Sequence, residues 1–165
     1  MWTTNIVILL VALQLSVVSA YCPGSPAEQH AECIVDATFQ TQCSQVRKEI
    51  NKRINGQATG AWTDPHNGGN YTMIDQAGSD LQISRVTGDG KYIDLIVINL
   101  IQDYSTCKMY ACSQSQVTSV GDDGTNFCNI HDLYCTEEGC NPFAELDYVE
   151  TVKTCTEASP KKCIA

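Results

Sequence analysis

The chain has 165 residues, 19 acids against 10 bases (net charge −9), and 10 cysteines, with 43% hydrophobic residues. That length fits one domain, and the apolar content excludes wholesale disorder. The acidic balance excludes a phosphate-binding footprint, so nucleic acid and anionic membrane surfaces are not expected partners.

Residues 1–20 carry no charged side chain, and Ile6 to Leu13 is an unbroken apolar run. Val18 and Ala20 stand where a signal peptidase wants small residues, so residues 1–20 read as a signal peptide and 21–165 as a single exported domain. Ile6 to Val18 is too short to cross about 30 Å of hydrocarbon. The most apolar later run, Ile93 to Ile101, is broken by Asp94 and Asn99, so no membrane span is expected.

An oxidising destination makes the cysteines a disulfide framework. Cys22, Cys33 and Cys43 precede a long gap; Cys107, Cys112, Cys128, Cys135, Cys140, Cys155 and Cys163 follow it. Ten cysteines allow about 945 pairings. Because the first group holds an odd number, full pairing requires at least one bridge across the gap. There is no Cys-x-x-Cys pair, and no metal or other cofactor is expected.

Ser25-Pro26-Ala27-Glu28 has the form of a capping box. Ala27, Ala31, Val35, Phe39, Cys43, Val46, Ile50 and Ile54 then recur at steps of four and three, which predicts a long amphipathic helix. Arg47, Lys48, Lys52 and Arg53 suit its C-terminal dipole, and Asn55-Gly56 supplies a stop. Residues 56–70 read as loop, and Trp62 to Gly69 as a polar segment able to present a ligand contact.

Beyond it the period becomes two. Short strands are expected at Tyr71 to Ile74 and Leu81 to Thr87, with a hairpin turn at Gly88-Asp89-Gly90. Lys91 to Ile101 reads as the central strand and Tyr110 to Val120 as the next. Gly121 to Gly124 is a turn, after which Asn126 to Cys135 is expected to pair back as a strand, ahead of a cysteine-pinned tail from Gly139. The predicted class is α+β: an N-terminal amphipathic helix packed on an antiparallel β-meander and stapled by disulfides. This order of elements resembles the cystatin-like arrangement in topology. The inhibitory Gln-x-Val-x-Gly motif is missing; Gln116 to Gly121 has the wrong spacing.

Few motifs carry chemistry. Asn70-Tyr71-Thr72 is an N-glycosylation acceptor. Cys128-Asn129-Ile130-His131-Asp132-Leu133-Tyr134-Cys135 resembles the active-site segment of secreted phospholipases A2, where a His-Asp pair sits between half-cystines. The resemblance implies His131 as general base and Asp132 as a calcium ligand. The family's paired cysteines before the histidine and its glycine-rich calcium loop are missing here. The plainer reading makes His131 a partly exposed residue between two disulfide anchors, whose replacement by Ala leaves stability nearly unchanged.

Tyr110 to Val152 holds eight acids and no Lys or Arg, a composition that attracts Ca²⁺ or a basic partner. The segments Asp64 to Asn67, Ser84 to Tyr92, Cys112 to Val117 and Cys128-Asn129 are similar to those of small secreted cysteine-rich proteins of algae and other protists, a resemblance that implies no activity. The sequence therefore favours a secreted, non-catalytic binding protein whose partner is an extracellular protein or glycan. A calcium-dependent hydrolase at His131 and Asp132, or an acidic calcium-associated matrix protein, is the alternative.

Overall fold

A computed structural model describes residues 22–164; the expected signal peptide and its cleavage point lie outside them. Six strands form one antiparallel sheet: β1 (Glu32–Phe39), β2 (Asn70–Asp75), β3 (Asp80–Val86), β4 (Ile93–Asp103), β5 (Thr106–Ser115) and β6 (Tyr148–Cys155). Their order across the sheet is β2-β3-β4-β5-β1-β6. The strands β2 to β5 form the expected meander, except that β5 starts at Thr106 and ends at Ser115 where Tyr110 to Val120 was expected; β1 is inserted between β5 and the edge strand β6. Three helices complete the domain: α1 (Cys43–Gly56), α2 (Thr125–His131) and α3 (Pro160–Cys163).

The first half of the expected long helix is strand β1. A step of four residues satisfies a helical period and also two turns of a strand's period of two. Cys33 and Ala37 fill the intermediate inward positions, giving the alternating burial of Glu32–Phe39. The β-branched Ile34, Val35 and Thr38 favour the extended form. The Ser25 hydroxyl starts no helix: it accepts from the Ala27 N–H and donates to the Ser115 carbonyl.

The second half is α1, which turns Val46, Ile50 and Ile54 into the core. It ends at Gly56, as Asn55-Gly56 suggested. A separate 3₁₀ turn follows at Gln57–Thr59 and closes at Gly60, whose φ is +71°. Ile50 is fully buried and Lys52 exposed. Ile50→Asp should therefore unfold the domain, while Lys52→Asp should shift a urea midpoint little. Equal effects would contradict the observed helical face.

Asn126 to Cys135 forms no strand. Phe127, Ile130, His131 and Tyr134 share one helical face at spacings of three and four, and all are buried. The tail from Gly139 supplies β6, whose edge position leaves Val149 67% exposed. The helix is not N-terminal as expected, because strand β1 precedes α1, and α2 joins α1 in the same core.

All ten cysteines pair: Cys22–Cys112, Cys33–Cys155, Cys43–Cys107, Cys128–Cys163 and Cys135–Cys140. All three N-terminal cysteines cross the gap, with sequence separations of 90, 122 and 64. Each such loop, taken alone, stabilises by roughly 4 kcal/mol in the chain-entropy model. Cys22–Cys112 fixes the entering chain against β5, and the Gln114 side chain accepts from the Gly24 N–H beside it.

Candidate functional site

A cleft of about 440 Å³ opens at one end of the sheet. One wall is the β3–β4 turn (Thr87, Gly88, Asp89, Tyr92) with Asn67 behind it; the other is the segment from Ser119 to Thr125. The floor is Asp94 of β4, Ser115 of β5 and Asn126 of α2.

The walls are held by close packing and buried polar contacts. A Cβ on Gly88 would stand 2.1 Å from the Asn67 carbonyl oxygen, so only glycine lets the hairpin tip meet that loop. The loop itself is fixed by Asp64, which is buried and accepts from the Gly69 N–H (2.6 Å) and from Arg85 (2.5 Å). Arg85 is fully buried and also donates to the Asn67 side chain at 2.6 Å. From the same loop His66 reaches the opposite wall, donating from Nδ1 to the Lys162 carbonyl (2.8 Å) and pairing through Nε2 with the Thr125 hydroxyl (3.2 Å). Cys128–Cys163 anchors the same corner.

The floor is a continuous chain of hydrogen bonds. Ser115 donates to Asp94 Oδ1 (2.7 Å), and Asn129 donates to Asp94 Oδ2 (2.8 Å) and to the Ser113 hydroxyl (3.0 Å). Ser113 donates to Asn126 Oδ1 (2.7 Å), and Asn126 donates to Asp122 Oδ2 (2.9 Å). Asp94, Ser113, Asn126 and Asn129 are all buried, and burying such groups is tolerable only when they are paired.

The His-Asp pair lies elsewhere, at the end of α2. His131 is 3% exposed, not partly exposed, because it stacks on Phe127 and is covered by β6. Its Nδ1 is 3.0 Å from Glu150 and its Nε2 3.6 Å from Glu137. Tyr134 donates to the same Glu150 carboxylate, and burial together with that charge holds the Tyr134 phenol well above its ordinary pKa. Removing the His131 ring would therefore leave a hole in the core, and the expectation of an unchanged midpoint does not stand.

Asp132 is fully buried and points away from that cluster. Its two carboxylate oxygens and Arg85 Nε and Nη1 have no hydrogen-bond partner among the described residues. Burial first, and then the Asp64 charge, raise the Asp132 pKa well above the ordinary carboxyl value. A folded-state pKa above the unfolded one means stability that is full below the unfolded value and declines as pH rises through the folded value. Asp132→Asn removes that decline. The variant should be more stable than wild type at neutral pH by on the order of 1 kcal/mol or more, with the gain shrinking toward pH 4. Chemical denaturation at several pH values measures it; a loss of stability at neutral pH would show that Asp132 is ionised and satisfied.

Among the described residues His131, Cys135 and Glu137 converge within 4.8 Å, the arrangement of a metal site, but the Cys135 sulfur is committed to Cys140. The acids of the 110–152 region are dispersed: Asp122 and Asp123 line the cleft, Asp132 is buried, and Glu137 and Glu150 face His131. Of the Trp62 to Gly69 segment, Asn67 reaches the cleft, while Trp62 is buried and donates to the Cys140 carbonyl at 3.1 Å. Asn70 is exposed on the edge strand β2, and Thr72, two residues on, is exposed with it.

Sequence reasoning missed Asp94 and Asn126 as floor residues and Arg85 as the buried support of the Asn67 loop. A charge inside an apolar strand was the available signal. In Leu81-Gln82-Ile83-Ser84-Arg85, alternation alone puts Arg85 on the buried face, opposite Asp94.

No protein-family model, curated protein or solved structure matches the chain. The five disulfides fit a stabilised extracellular protein, and no described helix is long and apolar enough to cross a membrane.

Proposed function

We propose that the protein is a secreted, disulfide-stabilised binding protein without catalytic activity, and that the cleft between the β3–β4 turn and the Ser119 to Thr125 segment is its ligand site. The observation that carries this reading is the preorganised floor. A buried carboxylate, two buried amides and two serines are held in one hydrogen-bonded chain below a cleft whose volume suits a small ligand. Groups already fixed in place lose little conformational freedom on binding.

What supports a non-catalytic reading over the hydrolase is the burial of His131 and Asp132. A general base has to reach the proton it takes, and the cleft does not include either residue. Calcium-dependent phospholipid hydrolysis that His131→Ala abolishes would overturn the reading. Export through an N-terminal signal and glycosylation of Asn70 belong to the same proposal. Exposure of Asn70 and Thr72 on an edge strand supports modification there, where a glycan would shield unpaired backbone from other chains.

The test uses Gly121, which lines the cleft and where an added Cβ meets nothing within 4 Å. Gly121→Trp fills the cleft without straining the fold. Native mass spectrometry after incubation with the small-molecule fraction of extracellular medium should show an adduct on the wild type that the variant lacks. The same adduct on both proteins would remove the cleft as the site.

A further inference from the structure

Resting on the reading of the cleft as the ligand site, we infer that its ligand is a neutral saccharide. The inference comes from an inventory of the protons that line the cleft. Thr87 spends its hydroxyl proton on Asp89 Oδ1 (2.7 Å) and accepts from the Tyr92 N–H (3.1 Å). Ser115 spends its proton on Asp94, and Ser119 on the Gly121 carbonyl at 3.2 Å. His66 Nδ1 faces a carbonyl, so it carries the ring hydrogen. His66 Nε2 is then an acceptor, and Thr125 donates to it. Both amide protons of Asn126 are also committed, to the Ala31 carbonyl (3.3 Å) and to Asp122.

What these groups turn toward a ligand is therefore mostly lone pairs, on the hydroxyls and on Asp122; the donors left are the Asn67 side-chain amide, whose oxygen accepts from Arg85, and the Tyr92 hydroxyl. Asp94 is buried beneath these groups, accepts from Ser115 and Asn129, and fixes the Ser115 hydroxyl in place. A surface with more fixed acceptors than donors favours a ligand rich in hydroxyl or N–H groups that can also accept. It rejects phosphates and carboxylates, which bring only acceptors and negative charge.

Two donor-rich classes remain, cationic amines and polyhydroxylated neutral molecules. The charge at the mouth decides between them. Asp89 is paired with Lys91 at 2.9 Å and Asp123 with Lys162 at 2.5 Å, so the two outer acids are already neutralised. Lys162 is held further by Glu157 at 2.7 Å. An amine entering the cleft would find both outer carboxylates already paired and Asp122 already accepting from the Gly124 and Asn126 N–H groups. Tyr92, 44% exposed on the rim, adds an aromatic face of the kind that packs against the C–H surface of a sugar ring. The cleft volume of about 440 Å³ falls within the range of about 300–1,000 Å³ found for small-ligand sites.

The experiment screens the intact protein on an array of neutral oligosaccharides. Calorimetric titration follows with the best binder, with spermine, and with inositol hexakisphosphate. Tyr92→Ala and Gly121→Trp serve as variants, both with thermal midpoints measured. The expected result is binding of at least one neutral saccharide, weakened at least 10-fold by both variants at unchanged midpoint, with no heat from the phosphate. Spermine binding that Gly121→Trp abolishes, without any saccharide binding, would overturn the ligand class while leaving the cleft as a site. Saccharide binding that neither variant touches would overturn the inference and remove the cleft with it. An array without any binder would overturn the inference alone, since the adduct experiment judges the cleft independently.

Discussion

Arg53→Met should destabilise the domain by about 3–5 kcal/mol, the usual cost of leaving one member of a buried charge pair alone. Arg53 is fully exposed to nothing but protein. Its Nε donates to Glu49 at 2.9 Å, one turn earlier on α1, and both side chains are buried. Its Nη1 donates to the Asp132 carbonyl (2.9 Å) and its Nη2 to the Cys135 carbonyl (2.7 Å). These carbonyls lie at the end of α2, where a helix runs out of its own donors. Glu49 in turn accepts from the Phe143 N–H at 2.8 Å, tying α1 to the tail before β6.

One guanidinium thus joins three segments distant in sequence. Burial pulls the Arg53 pKa down, and the hydrogen bond and charge of Glu49 hold against it. Met keeps the apolar stem and removes every donor, so the loss measures pairing more than packing. Urea unfolding with the disulfides intact provides the number. Glu49→Gln placed in the Arg53→Met background should recover part of the loss, because the uncompensated charge is gone. A loss below about 1 kcal/mol for the single variant, the value of an exposed pair, would show that water reaches the site.

Arg53 also shows how far the sequence could be read. The apolar stripe Val46, Ile50, Ile54 was legible, and so was the position of α1. Its own period also places Arg53, seven residues after Val46, on the covered face. A basic residue in a last turn reads as a dipole partner, and that local explanation hid the buried role. Arg85 was hidden in the same way at the end of a clean alternation.

The strands β2 to β5 and the Gly88-Asp89-Gly90 turn could be read because period two and turn residues agree there. Glu32–Phe39 could not be separated from a helix by steps of four alone. Of the cleft, only the loop that holds Asn67 was legible; Asp94 stood out as a break in an apolar run but carried no site role. The cleft walls come from residues 67 to 125 and meet only when the sheet forms. The parity of the cysteines did foretell a crossing bridge, since parity does not depend on which structure forms.

Gly88→Ala should cost about 1–3 kcal/mol and deform the cleft, the range expected for a methyl forced into filled space. Two glycines flank the β3–β4 turn and serve different ends. Gly90 takes the left-handed conformation, φ +74°, that closes the turn. Gly88 has no such requirement; its added Cβ would collide with backbone, 2.1 Å from the Asn67 oxygen and 3.2 Å from that of Gly68. Backbone cannot rotate aside as a flexible side chain does, so the hairpin tip has to move away from the 64–69 loop. That loop resists, because Asp64 holds it through the Gly69 N–H and through Arg85, itself fixed on β3. The strain therefore falls on Thr87, Asp89 and Tyr92, the residues that form one wall of the cleft. Gly121→Ala is the matched control on the opposite wall, with open space around the new methyl, and should leave the thermal midpoint within about 2 °C of wild type. Differential scanning calorimetry of the two variants, together with saccharide titration, separates the cases. Gly88→Ala should lose both stability and binding, and a variant as stable as Gly121→Ala would show that the two walls do not press on one another.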